Sequence, residues 1–148
     1  MTRTRRIVAT LAAAASLTAA ATTLGSSPAS AATDFYTVCR HDDDKNVWQA
    51  IAYDQDDHYV GLAMFYTDPY GRNPGEALYA TDSYADGWGV VAHLSTGRTA
   101  STLGHSAGYT TPPVTGDLPE DHKYGLWVEM VHSGGDTRIS MASCDAWS

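Results

Sequence analysis

Between Leu118 and Cys144 apolar residues recur every second position in two runs, separated by a Gly-Gly-Asp turn. This stretch restricts the fold more than any other. Tyr124, Leu126, Val128 and Met130 fall on one side of the first run, and Gly125, Trp127, Glu129 and Val131 on the other. After the turn, Ile139 and Met141 continue the apolar row. A period of two sends successive side chains to opposite faces of a strand, which predicts a closing β-hairpin over 123–132 and 138–144. A lone hairpin is at best marginally stable in water, so other strands must cover its apolar face.

No upstream segment after the first thirty or so residues sustains a helical period. Short runs rich in Val, Ile, Tyr and Trp are instead cut by Gly, Pro, Asn and Asp, predicting strands at 34–40, 47–53, 59–66, 77–81, 88–94 and 99–103. Val60, Leu62 and Met64 are expected on the inward face of the third, with Tyr59, Gly61, Ala63 and Phe65 outward. Trp88, Val90, Ala92 and Leu94 are expected inward on the fifth, with His93 and His132 on the sheet surface. One apolar and one mixed face per strand fit two packed antiparallel sheets. The expectation is a single all-β antiparallel sandwich of about seven or eight strands.

The N-terminus reads as a leader. Arg3, Arg5 and Arg6 precede an apolar Ala/Leu/Val run that closes on Ala29-Ser30-Ala31. That order of charge, apolar run and small residues is a secretory signal peptide over 1–31, with 32–148 the mature domain. Ser30-Ala31-Ala32 would move the cut by one. The run is Ala/Thr-rich and weakly apolar for a retained spanning helix, so export with no membrane anchorage is expected.

Cleavage leaves six lysines and arginines against all 17 acids, a net charge of −11. Such a charge repels phosphate backbones and anionic lipid heads, which excludes nucleic-acid binding. Cys39 and Cys144 are the only cysteines, and in an oxidising compartment they are expected to form a disulfide. A reactive thiol or a metal-ligand pair are the alternatives.

Leu118-Pro119, a short polar turn and Tyr124 at the head of an alternating strand resemble the corner before the penultimate strand of immunoglobulin- and fibronectin-type-III-like sandwiches. The resemblance implies an immunoglobulin-like architecture in which a tyrosine hydroxyl bonds back to the backbone. The leader, acidic β-rich body and late cysteine together also resemble small secreted β-sandwich proteins of actinobacteria. That likeness implies no catalytic residues.

Several constellations bear on chemistry. Asp42, Asp44 and Asn46 open a D-x-D-x-N calcium pattern, but Val47 stands at the glycine position and Tyr53 at the bidentate acid. A second acidic cluster, Asp54, Asp56 and Asp57, lies beyond the strand at 47–53, roughly 23 Å away at the strand rise per residue. The six histidines form no short-range zinc spacing. His41 and His58 stand beside acids, and His58 with Asp57 is the pair a small hydrolase would use. Gly104-His105-Ser106-Ala107-Gly108 is not a nucleophile elbow, and Glu76, Glu120 and Glu129 fix no glycosidase spacing.

Tyr70 and Tyr84 fall in turns, with Trp88 close behind, where exposed aromatics stack on sugars or anchor a protein partner. The proline-stiffened loop at 108–116 is the stretch a protease inhibitor would present. The expected function is a monomeric, cofactor-free extracellular binding module for a carbohydrate, surface polymer or protein. Tyr70, Tyr84 and Trp88 are its candidate contacts; a hydrolase and a protease inhibitor are the alternatives.

Overall fold

In the computed structural model, which describes residues 34–148, the alternating runs form ten strands and no helix. The leader expected at 1–31 lies outside the described residues. One sheet contains β1 (Phe35–Asp42), β2 (Val47–Asp54), β3 (Tyr59–Tyr66), β4 (Ala77–Asp82) and β7 (Tyr109–Thr110), in that spatial order. The other contains β5 (Trp88–Leu94), β6 (Thr99–Ser101), β8 (Lys123–His132), β9 (Arg138–Ser140) and β10 (Cys144–Trp147). Its order is β10-β8-β5-β6, with β9 also paired to β8. All pairings are antiparallel.

The two sheets face each other as an immunoglobulin-like sandwich in architecture, with β1 to β4 running as a meander within one sheet. The Tyr124 hydroxyl donates to the Pro119 carbonyl at 3.0 Å, the backbone tie the corner implied. Cys39 and Cys144 are joined across the two sheets, with Cα atoms 5.6 Å apart.

The closing strand expected at 138–144 is divided. Met130 pairs with Ile139, whereas Leu126 pairs with Cys144, so one extra residue is taken up between β9 and β10. A one-residue bulge reverses which face the following side chains occupy. Ile139 and Met141 pack against the core, and without the bulge Ser143 would follow them inward. With it, Cys144 is buried and meets its partner.

The core contains Tyr124, Leu126, Val128 and Met130 from β8, and Val90, Ala92 and Leu94 from β5, as expected. Opposite them lie Ala50, Ala52, Ala63, Phe65, Leu78 and Ala80. β3 corrects the expected face. Ala63 and Phe65 point inward, Leu62 and Met64 are half-buried on the outside, and of the expected row only Val60 reaches the core. A register shift beside Ala52 and Tyr53 lets Val60 turn inward ahead of the regular alternation.

The physical reason is sheet spacing. A Cβ on Gly61 would lie 2.6 Å from Val90 Cγ2 and collide with the Thr81 carbonyl. The face with the smallest side chains is therefore the one the second sheet approaches. β6 also ends two residues early, and β7 forms inside the loop expected to be strandless.

Candidate functional site

The register of the strands sorts the loops into two groups. Phe35 pairs with Asp54, Gly61 with Asp82, Asp82 with Tyr109, and Trp88 with His132. The turns at 55–58, 83–87, 102–108 and 133–137 therefore share one end of the sandwich, and those at 43–46, 67–76 and 95–98 share the other.

At the first end the β4–β5 turn and the segment after β6 enclose a cleft of about 340 Å³. Its foot is Asp82, which follows Leu78 and Ala80 on the inward side of β4 and is only 4% exposed. One carboxylate oxygen accepts the Tyr84 backbone N–H at 3.3 Å. Among the described residues the ion pairs are His41–Asp43, Lys45–Asp42, His58–Asp54, His93–Glu129, Lys123–Asp145 and Arg138–Glu129, none of which reaches Asp82. Burial raises the Asp82 carboxyl above the usual carboxylate range. The Tyr84 N–H opposes this and the Asp86 charge adds to it.

The walls are largely apolar. Trp88 meets Phe35 edge-on at 5.2 Å and His132 in the same manner. Leu103 stays 40% exposed although it packs over Gly89, where a Cβ would come within 2.7 Å of its Cδ2. Tyr84, 42% exposed, stacks on His58 at 5.2 Å. His105 lines the cleft and stacks on Tyr109 at 3.7 Å. Thr102 is held at the floor by two bonds to the backbone of Val90.

Charge is unevenly divided between the ends. Asp54, Asp56, Asp57, Asp86 and Asp136 surround the cleft end, while Arg40, Lys45, Arg72, Arg98 and Lys123 sit on or toward the other, there interspersed with acids such as Asp42, Asp43, Asp44, Asp68, Glu120 and Asp121. The one arginine near the cleft end among the described residues, Arg138, bonds Glu129 at 2.9 Å. Burial also raises the Asp86 carboxyl, against the hydrogen bond it accepts from the Trp88 N–H.

Of the expected contacts, Tyr84 and Trp88 therefore meet at one cleft, whereas Tyr70, 43% exposed, lies in the β3–β4 loop at the opposite end. The three do not form one patch. His58 and Asp57 do not pair either. His58 Nδ1 lies 3.0 Å from Asp54 Oδ2, and Asp57 accepts the Tyr36 hydroxyl at 2.5 Å, which pushes the Tyr36 pKa up to about 12. Neither His58 nor Asp57 lines the cleft.

Asp54, Asp56 and His58 place one possible ligand atom each within 4.8 Å of one another. The Asp54 carboxylate is already engaged, however, by the Asp56 N–H, the His58 N–H and the His58 ring. Burial works to raise the Asp54 carboxyl, and these bonds outweigh it to leave it lowered; the same contact raises His58.

Of the calcium candidates Asp42, Asp44 and Asn46, Asp44 is exposed and the other two are likewise committed. Asp42 takes Lys45 Nζ at 2.7 Å, which lowers its carboxyl, and Asn46, at φ +49°, donates to Asp68. The proline-containing loop is tied down along β4 through Thr111 to Ala80 and Val114 to Leu78.

The residue that sequence reasoning missed is Asp82. One more position on the strand expected at 77–81 would have set it inward behind Leu78 and Ala80. No family model, curated protein or solved structure matches the chain, so the cleft stands on its own geometry.

Proposed function

We propose that the protein is an exported, non-catalytic β-sandwich that binds an extracellular carbohydrate, surface polymer or protein at the cleft between the β4–β5 turn and the segment after β6. One observation carries this reading: Tyr84, Trp88 and Leu103 form apolar walls over a buried polar foot at Asp82. A concave, mainly apolar site with one well-placed polar group is the usual form of a ligand pocket, and 340 Å³ is at the small end of that class. The leader, the acidic surface and the disulfide suit an extracellular setting.

The test is retention of the purified protein on cell-wall polymers, glycan arrays and secreted proteins. Tyr84→Ala is expected to reduce retention about tenfold, the loss typical of a central aromatic anchor. Tyr70→Ala, at the far end, leaves it unchanged. Equal retention of wild type and Tyr84→Ala on every support rejects the site.

A second reading, a small hydrolase, is favoured by one feature, a carboxyl of raised pKa inside a cleft, the setting of a general acid. Turnover of chromogenic esters or glycosides that disappears in Asp82→Asn would replace the binding reading with this one.

A further inference from the structure

The cleft fits one chemical class better than its general form requires, and we propose that it takes the basic side chain, a lysine ammonium or arginine guanidinium, of an extracellular polypeptide. This inference rests on the binding reading and names its ligand.

Asp82 supplies the reason. Asp82 is 4% exposed and its carboxylate takes a single backbone N–H and no cation among the described residues, so it has acceptor capacity left for a donor that enters the cleft. It opens onto a cleft, so a group entering from outside can complete it. The surrounding Asp54, Asp56, Asp57, Asp86 and Asp136 add a negative field that draws a cation in and repels an anion. Tyr84 and Trp88 offer ring faces and edges, and a cation over an aromatic face gains a further attraction.

The apolar walls then separate a basic side chain from an amino sugar. Lysine and arginine carry their charge on an aliphatic stem that can lie along Trp88 and Leu103 while the head reaches Asp82. A sugar amine brings a ring of hydroxyls that each need a partner; Thr102 is already bonded to Val90, which leaves His105, Ser106 and Ser133 as the polar side chains of the lining to meet them.

The experiment follows backbone amide resonances of Tyr84, Gly104 and Ala107 in the intact mature protein during titration with four probes. These are Nα-acetyl-lysine amide, Nα-acetyl-arginine amide, the neutral Nα-acetyl-norleucine amide and glucosamine. The two basic probes should saturate these shifts with Kd on the order of 1 mM, as suits single-residue ligands. Norleucine amide should bind about tenfold more weakly or worse, the loss expected when a charged hydrogen bond is absent. Asp82→Asn should weaken both basic probes about tenfold and leave norleucine amide unaffected. Wild-type affinity for the basic probes should also fall as acid protonates Asp82, a readout that needs no variant.

Norleucine amide binding as well as lysine amide, or basic-probe binding indifferent to both Asp82→Asn and acid, overturns the cation assignment while leaving a cleft that binds. Glucosamine outcompeting both amino-acid cations overturns the polypeptide in favour of an amino sugar. If no probe moves a cleft resonance and Tyr84→Ala retains every partner, the cleft itself is the wrong site.

Discussion

Asp82 sets stability against binding within a single side chain. Its carboxyl has a folded-state pKa above the ordinary value, because burial disfavours the charge. The folded state therefore holds that proton more tightly than the unfolded chain. The linked stability is complete below the ordinary carboxylate pKa and is lost as pH rises through the raised folded value. Above that folded value the ionised carboxylate, taken out of water by burial, is a cost to the fold. Asp82→Asn should raise the melting temperature at pH 7, by about 3–6 °C if the cost is about 1 kcal/mol. The gain should vanish as pH falls through the raised pKa. Thermal melts of both proteins across that range check it, and an Asn variant that melts lower at pH 7 would make Asp82 a structural residue. His58 runs the same way at higher pH. Raised by Asp54, it stabilises fully below about 6.5, its ordinary value, and loses that contribution as pH climbs through its folded pKa.

At the scale of elements, strands whose alternation is unambiguous were legible. β3, β5 and β8 begin and end where the residue pattern places them. Their faces were legible only where one side is plainly polar. β8 sets Glu129 and Gly125 against Leu126 and Val128, and its inward row is the expected one. β3 is apolar on both sides, so side-chain size pointed to Leu62 and Met64, while the close approach of Val90 to Gly61 selected the smaller face. The candidate site was half legible. Tyr84 and Trp88 stood out as turn aromatics, but Tyr70 could be separated from them, and Leu103 and His105 joined to them, only by a strand order set by non-local pairing.

The β9–β10 bulge is the other feature that local pattern concealed. It makes a sharp prediction: deleting Ala142 removes the extra residue, and continuous alternation from Ile139 and Met141 then keeps Cys144 on the inner face opposite Leu126. The deletion variant should therefore keep the bridge, with no free thiol and an intact mass about 2 Da below that expected for the same chain reduced. Two free thiols in the deletion variant would mean that the bulge does more than set the cysteine's face.

For the whole molecule, the disulfide and the cleft divide the sandwich between them. Cys39 lies on β1, an edge of the first sheet, and Cys144 on β10, which flanks β8 in the second. The bridge closes the sheets along that side. Cys39 pairs with Ala50 and Cys144 with Leu126, positions well along the strands from the Asp82 end. Its loop spans 105 residues, and cross-linking so long a segment stabilises chiefly by restricting the unfolded chain. The Cys39→Ser, Cys144→Ser double variant should therefore lose about 2–5 kcal/mol of unfolding free energy. A domain of this size holds about 5–15 kcal/mol in total, so the variant should stay folded at 25 °C with its core and cleft in place. Denaturant unfolding followed by tryptophan fluorescence gives the loss. Titration with Nα-acetyl-lysine amide then shows whether the cleft survives. Cooperative unfolding at a lower midpoint with unchanged probe affinity is the expected result. Loss of probe binding in the still-folded variant would show that the bridge shapes the cleft from the far side, coupling the two halves of the molecule.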